Sequence, residues 1–312
     1  MRRPSARPAF TLTELAITIA ASAGLLTVAS MMLGVGAQPD ANTIRAQSIQ
    51  LKDATQIRGI HQGIIIFAQN NQDVYPLPSR FDKQDMTVAV KGAAKDTSAN
   101  IMSMLVFMGA IPTDMLVSPA ESSANVRGYQ NYEFTNPAKA QVPAQALWDP
   151  ALSVDFTDGQ TGHLSYAHQI PATERLARWA STFSATEPII GNRGPEVAAV
   201  REAGVTIPRD SVPIYATKKS MTLRIHGGPD TWEGNIGYND NHVNFETSPT
   251  PADVQYTALT FNPADANNQW VQARARDVIF FDEPDAVKRE NAYLGIFTHA
   301  GESTKNFRAI WD

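Results

Sequence analysis

An uncharged run near the amino terminus constrains this chain more than any other feature of its sequence. Between Glu14 and Asp40, 25 consecutive positions carry no charged residue. A helix over residues 15–36 would be about 33 Å long at ~1.5 Å per residue, which is enough to cross a hydrocarbon core of about 30 Å. The sequence therefore predicts a transmembrane helix over residues 10–36, preceded by a leader at residues 1–9.

The charges before this run predict its orientation and give it one unusual property. Arg2, Arg3 and Arg7 precede the run, so the positive-inside rule keeps the amino terminus in the cytoplasm and places the rest of the chain outside it. Glu14 lies at the start of the apolar segment, where a carboxylate is costly in lipid. An acid at that position therefore indicates a functional role.

The residues around Glu14 resemble the signal of type IV prepilins and type II secretion pseudopilins. That signal is a short basic leader, a small residue, Phe-Thr-Leu, one further residue and Glu, followed by a transmembrane helix. Here Phe10, Thr11, Leu12 and Glu14 match in order and spacing, and Ala9 stands where the family usually has Gly.

This resemblance implies a processing step, a set of partners and a location. A prepilin peptidase would cut between Ala9 and Phe10, the new amino group of Phe10 would be methylated, and Glu14 would pair with the amino terminus of a neighbouring subunit. The chain would be a structural subunit of an envelope filament or secretion pseudopilus, and not an enzyme. One span would hold it in the inner membrane, with its body in the periplasm or at the cell surface. Its partners would be the peptidase, other pilin or pseudopilin subunits and the membrane.

Two other interpretations of the run stay open. An ordinary secretory signal has an apolar core of about 7–15 residues and a cleavage site of the A-x-A type, which residues 35–37 match loosely. A plain signal anchor with an incidental Glu14 is the other interpretation. All three place the body of the protein outside the cytoplasm.

The composition of the chain excludes several classes of function for this body. A chain of 312 residues allows one large or two modest domains with a buried core. The net charge of −5 provides no basic footprint, so no nucleic-acid partner is expected. The absence of cysteine excludes disulfides, thiol catalysis and thiolate metal sites.

Apolar periodicity after the run predicts an amphipathic helix within residues 37–74. Apolar residues recur there at three- and four-residue steps, namely Ala54, Ile57, Ile60, Ile64 and Phe67. Asp53 is expected to lie off this apolar face. The helix should end near residues 70–71, because Pro76 and Pro78 cannot continue a helix interior.

The remaining residues, 75–312, are predicted to form a β-rich extracytoplasmic domain with one short helix at 100–110. Short apolar runs alternate there with turn residues, and the candidate strands are 162–167, 189–191, 223–226, 235–238, 242–245 and 278–281. A second helix is expected at 172–183 and a long loop at 246–277. The predicted fold class is α+β and pilin-like, with a long amino-terminal helix packed on an antiparallel sheet with inserted loops.

The order of segments in the body resembles a large family of bacterial prepilin-like proteins with a His…Asp-Gly-type box near the carboxyl terminus. The matching segments are, in order, residues 56–60, 75–78, 117–119 and 165–168, then His226 and residues 240–243. This resemblance implies a pseudopilin-like fold and no particular chemistry.

Two groups of polar residues leave metal binding open. His226, Asp240 and His242 flank a predicted hairpin, where cross-strand residues reach ligand distance, and their nitrogen and carboxylate atoms suit zinc or another transition ion. Asp155 and Asp158 lie in an acidic loop whose oxygens suit calcium. The simpler interpretation is that these residues shape turns and bond locally, so no cofactor is expected. The alternative function is a membrane-anchored envelope enzyme or a metal-dependent binding protein that uses His226, Asp240 and His242.

Overall fold

The structure is a computed structural model that describes residues 40–203, 210–228, 230–261 and 270–312. The chain divides into two units, residues 1–47 and 48–312. The predicted leader and the predicted helix at 10–36 lie outside the described residues. Within the described ranges, no helix combines the length and the apolar character that a membrane crossing requires.

The first helix, α1, spans Ala41–Gln69, as the periodicity predicted. Asp40 caps its start, because Asp40 Oδ1 accepts the backbone N–H of Thr43 at 2.7 Å. Its buried residues recur at three- and four-residue steps from Asp53 onwards and include Ile57, Ile60, Ile64 and Phe67. Asp53 was predicted to lie off this face, and that prediction is wrong: its side chain is fully buried.

Two further α-helices and eleven strands follow α1 in the described residues. The helices are α2 (Pro78–Phe81) and α3 (Ser98–Phe107). The strands are β1 (Tyr166–Gln169), β2 (Pro188–Asn192), β3 (Val197–Ala203), β4 (Asp210–Tyr215), β5 (Gly234–Tyr238), β6 (Val243–Glu246), β7 (Gln255–Phe261), β8 (Trp270–Arg276), β9 (Leu294–Gly295), β10 (Phe297–His299) and β11 (Arg308–Ala309). The main sheet has the order β6-β5-β2-β1-β9, and all its strand pairs are antiparallel. The predicted α+β class is therefore confirmed.

Helix α1 lies against β5, and the two elements run in the same direction. The side chain of Asp53 contacts Asn235, the methyl group of Ile57 lies over Gly237, and His61 contacts Asn241 just beyond the strand. The four helical residues from Asp53 to Ile57 rise about 6 Å, and the two strand residues from Asn235 to Gly237 rise about 7 Å. The match in length allows one face of the helix to meet successive residues of a single strand.

Several secondary-structure predictions were confirmed. Strands β2, β5 and β6 lie where short apolar runs had placed them, and the turn between β5 and β6 has Asn241 at a φ of 69°. Helix α3 fits the prediction at 100–110, and the side chain of Thr97 caps it by accepting the N–H of Asn100. Met108, just beyond the end of α3 at Phe107, is 56% exposed.

Other predictions were wrong for identifiable reasons. The predicted helix at 172–183 is only a 3₁₀ turn, Thr173–Arg175, because the buried Arg175 side chain bonds to distant partners such as Asn291. The predicted strand at 223–226 overlaps a 3₁₀ turn, Met221–Arg224, whose first N–H groups are capped by Ser220. Residues 278–281 form a turn closed by a hydrogen bond from the N–H of Phe281 to the carbonyl of Val278.

Two boundaries also differ from the predictions. The region 246–277 was expected to be a long loop, but it contains the β7–β8 hairpin, which pairs from Gln255↔Arg276 to Phe261↔Trp270. Its prolines at 249 and 251 precede the first strand and do not interrupt it. The strand predicted at 162–167 begins only at Tyr166, and Gly162 instead makes an isolated parallel bridge to Val126.

The close approach of α1 to β5 predicts the effect of one substitution. A Cβ atom at Gly237 would lie 2.9 Å from Ile57 Cγ2 and 3.3 Å from the carbonyl oxygen of Ile190. We expect Gly237→Ala to lower the free energy of unfolding by about 1–3 kcal/mol through overpacking. Denaturant titration measures this change.

Gly128→Ala is the matched control for this substitution. The only nearby atom there is the flexible end of the Gln130 side chain, at 3.3 Å. Equal stability of the two variants would contradict the packing of Ile57 on Gly237.

Candidate functional site

The fully buried carboxylate of Asp53, on α1, contacts side chains from four other parts of the chain. Asp53 Oδ1 accepts hydrogen bonds from the hydroxyls of Ser118 and Tyr166, the latter at 2.8 Å. Asp53 Oδ2 accepts from Asn235 Nδ2 at 2.8 Å and lies 3.0 Å from His226 Nε2. Four of these residues are buried, and the side chain of His226 is 7% exposed, so the cluster lies in the interior.

The cluster joins α1 to strands and loops that are distant in sequence. Tyr166 begins β1 and Asn235 lies in β5, so the carboxylate reaches two strands of the main sheet. Ser118 and His226 each lie just beyond a 3₁₀ turn. Asn235 Nδ2 also donates to the backbone carbonyl of Gln50 at 3.2 Å. We call these five residues, Asp53, Ser118, Tyr166, His226 and Asn235, the Asp53 anchor.

Hydrogen bonding keeps the buried carboxylate ionised. Burial alone would raise the pKa of Asp53, but hydrogen bonds from His226, Ser118 and Asn235 outweigh burial, so the pKa lies below its usual value. The pKa of Tyr166 is raised, because burial and the adjacent negative charge both disfavour a phenolate. The tyrosine therefore remains a hydrogen-bond donor to Asp53.

The geometry of the anchor suits attachment of the helix and not nucleophilic catalysis. Activation of a serine requires a base within hydrogen-bond reach of its hydroxyl. Here Ser118 donates to the carboxylate, and His226 Nε2 faces the same carboxylate. A carboxylate whose pKa is lowered is a weak base. Because it also accepts from Tyr166 and Asn235, the arrangement fixes α1 to the sheet and is poorly suited to activate Ser118.

A second polar contact attaches α1 two turns further on, at His61. His61 Nε2 lies 3.2 Å from the hydroxyl of Tyr75, which also donates to Asn239, and Nδ1 lies 3.2 Å from Asn241 Oδ1. Burial lowers the pKa of His61 to about 4, so the imidazole is neutral at pH 7. This group, the His61 anchor, ties the helix to the turn between β5 and β6.

The structure gives the three candidate zinc ligands separate partners. His226 belongs to the Asp53 anchor, whereas Asp240 and His242 bond to each other at the β5–β6 turn. The ring of His242 also stacks on Tyr238 with centroids 4.5 Å apart. Across the described ranges, no three His, Cys, Asp or Glu side chains form a group that would hold a metal ion.

The two acidic candidates for calcium have local partners. Asp155 Oδ1 accepts the N–H of Thr157 at 2.9 Å and its hydroxyl at 2.6 Å. Asp158 adopts a φ of 48° in the turn that follows. The simpler interpretation of this loop, in which the acids shape a turn, therefore accounts for the observed contacts.

Sequence reasoning missed the centre of the Asp53 anchor, although it pointed to several of its members. Ser118, Tyr166 and His226 lie in segments that indicated the prepilin-like resemblance, but nothing in their order shows that they meet. The available signal was the position of Asp53, which lies one helical turn before Ile57 and therefore on the apolar face. The other predicted site residues, Ala9, Phe10 and Glu14, lie outside the described residues.

Comparisons of the chain with protein-family profiles, curated proteins and solved structures found no match.

The Asp53 anchor predicts a large effect of a nearly isosteric substitution. Asp53→Asn replaces an acceptor oxygen with an NH₂ group that faces donors, so we expect the free energy of unfolding at pH 7 to fall by about 3 kcal/mol. Because the pKa of Asp53 is lowered on folding, its contribution is present above the usual value of 3.8 and is lost as pH falls below it. The variant should therefore lose less stability than the wild type on acidification.

Denaturant titration at pH 7 and pH 3 measures both effects. Asp114→Asn, which changes an exposed acid, is the control and should shift stability by no more than about 0.5 kcal/mol. If Asp53→Asn unfolded like this control at pH 7, the buried carboxylate would not be what attaches the helix.

Proposed function

We propose that the protein is a pilin-like or pseudopilin-like structural subunit of an envelope filament or a type II secretion pseudopilus. The observation that carries the proposal is the distribution of burial along α1. None of residues 41–52 is buried, whereas buried residues recur from Asp53 to the end of the helix. The body therefore stabilises only the second part of α1.

The exposed part of α1 carries apolar side chains that suit contact with other helices. Ile44 is 54% exposed and Leu51 is 71% exposed, and they lie seven residues apart on one side of the helix. A helical segment of about 12 residues has little stability of its own in water. Packing against the equivalent segments of neighbouring subunits would cover these side chains and stabilise the segment.

The amino-terminal residues supply the second part of the proposal. The long helix of a pilin would extend from the apolar run at 10–36 into α1, with cleavage by a prepilin peptidase between Ala9 and Phe10. Subunits would associate through their apolar helices, and Glu14 would set the register. A buried acid without a partner is costly in lipid, so pairing with the amino group of a neighbouring Phe10 selects one docking position.

The two anchors suit this role because they fix the orientation of the body relative to α1. The Asp53 anchor and the His61 anchor attach α1 to strands β1 and β5 and to the β5–β6 turn. A body attached at two points along a helix cannot swivel about a single contact. Subunit docking through the helices would therefore also fix the orientation of the bodies around them.

The alternative function, a metal-dependent protein that uses His226, Asp240 and His242, has less support. His226 Nε2 faces the Asp53 carboxylate, and Asp240 is bonded to His242. Assembly of the three side chains around an ion would require the Asp53 anchor to give up one of its donors.

The mature amino terminus tests the processing step. We expect mass spectrometry of the protein from its native membrane to show a chain that begins at Phe10 with one added methyl group. This result requires a prepilin peptidase, which acts at the junction of Ala9 and the apolar helix. An intact leader would favour a plain signal anchor, and a cut after Ala37 would favour an ordinary secretory signal.

Glu14 should affect assembly without affecting insertion. Glu14→Gln keeps the size of the side chain and removes its charge, so membrane localisation and cleavage after Ala9 should remain. Cross-linking to partner subunits should fall at least about tenfold, a change equivalent to ~1.4 kcal/mol. Glu14→Leu should behave in the same way.

Membrane fractionation and in vivo cross-linking provide the two measurements. Glu302→Gln makes the same chemical change at an exposed position of the body and should cross-link like the wild type. Normal cross-linking of both Glu14 variants would rule out a register role for this acid.

A further inference from the structure

A cavity of about 380 Å³ lies beside the β7–β8 hairpin. Its wall contains residues from β3 and β4, Tyr256 from β7, and Phe281 and residues 283–285 from the loop that follows β8. The volume is at the lower end of the range of small-molecule sites, which is about 300–1,000 Å³. The cavity is far smaller than a protein interface and therefore suits a small ligand or a single side chain.

Glu283 is the unusual residue in this wall. It is 3% exposed, and its Oε1 atom has no hydrogen-bond partner. The backbone N–H of Val278 favours the ionised carboxyl group and opposes part of the effect of burial on its pKa. Buried polar atoms in native proteins are nearly always bonded, so an unpartnered oxygen beside a cavity points to a missing donor.

Three buried basic residues elsewhere in the described ranges each have an acid beside them. Lys95 Nζ lies 2.8 Å from Asp82 Oδ2, and Arg193 lies 2.8 Å from Glu121. Arg175 likewise lies 2.6 Å from Asp282, which precedes Glu283 in sequence. None of the described residues that line the cavity is Lys, Arg or His, so the Glu283 carboxyl lacks the partner that these other groups have.

The acids around Glu283 create a negative electrostatic potential at its carboxyl group. Burial, together with the nearby acids Asp277, Asp285 and Asp282, raises the pKa of Glu283 to about 8. Asp285 Oδ1 accepts from the Tyr256 hydroxyl at 2.9 Å, and Asp282 pairs with arginines. Without a ligand, the Glu283 carboxyl therefore holds a proton at neutral pH, whereas a cation in the cavity would favour the ionised form.

Asp277 is a second buried acid with an unpartnered carboxyl oxygen. It is 1% exposed, its Oδ2 accepts the N–H of Ala292 at 2.5 Å, and its Oδ1 has no hydrogen-bond partner. Glu187, Arg178 and Arg175 are the other charged groups that act on it. The two unpartnered carboxyl oxygens therefore belong to neighbouring acids, only one of which lines the cavity.

We propose that this cavity binds a primary ammonium group, with the carboxyl group of Glu283 as its acceptor. The group would come from the lysine side chain of another protein or from a free polyamine. The aromatic rings of Tyr256 and Phe281 attract cations, and the apolar wall at Ala199 and Val200 suits an alkyl stem.

Calorimetric titration of the full-length protein in a neutral detergent tests the proposal. The probes are 1,5-diaminopentane and an acetylated Ala-Lys-Ala amide, in phosphate buffer that contains no amine. We expect saturable binding that becomes at least tenfold tighter from pH 6 to pH 8, because the ammonium group must displace the proton of Glu283 at the lower pH. Tighter binding of the peptide would identify a protein lysine as the source, and tighter binding of the diamine would identify a free polyamine.

Three variants assign the binding to this cavity. Glu283→Gln should weaken binding at pH 8 at least tenfold and remove its pH dependence, whereas Glu302→Gln, at an exposed site, should leave both unchanged. Ala199→Leu should weaken binding by filling the cavity from an exposed strand position, and it decides the question if Glu283→Gln does not fold. Absence of binding by the wild type at pH 8, or unchanged affinity in both cavity variants, would overturn the proposal.

Discussion

The attachment of α1 to the sheet depends on one ionised carboxylate in the interior. Removal of a charge from water is costly, and the Asp53 anchor offsets that cost with four donors from four separate segments. Each donor must be in place for the carboxylate to remain stable as an anion. The first buried position of α1 therefore sets the relative positions of β1, β5 and two loops.

The rest of the helix–sheet interface follows from this contact. Ile57 lies one turn after Asp53 and packs over Gly237, where the absence of a side chain permits close approach. The His61 anchor closes the interface at the end of β5. A neutral imidazole suits that position because it bonds to polar partners without a second buried charge. Apolar packing thus lies between two polar contacts, which specify where the helix sits along the strand.

Local sequence patterns predicted most of the helices and strands whose conformation is determined by residues nearby in the sequence. Helices α1 and α3 follow from apolar spacing and caps, and β5 and β6 follow from apolar runs on either side of a turn rich in Asn and Asp. The failures occurred where distant partners decide the conformation. Arg175, for example, interrupts a helical pattern because its guanidinium bonds to Asn291 and Asp282, which are more than 100 positions away.

The same distinction applies to the sites. Three members of the Asp53 anchor lie in the segments on which the prepilin-like resemblance was based. Only the folded chain shows that the carboxylate of Asp53 on α1 bonds to all three. The orphan oxygen of Glu283 had no sequence signal, because residues 282–285 look like a solvated acidic turn. Glu283 is buried beside the β7–β8 hairpin, which lies in a region that was expected to be a loop.

The spacing of the two anchors has a consequence for how relatives of this chain can vary in length. One residue inserted between Asp53 and His61 would rotate one anchor by about 100° around the helix axis, and compensation would require a matching change in β5, where one residue turns a side chain to the opposite face. The eight-residue interval should therefore be nearly invariant in evolution. The carbonyl of Gln50 also accepts from Asn235, so the same constraint extends back along the helix to Gln50.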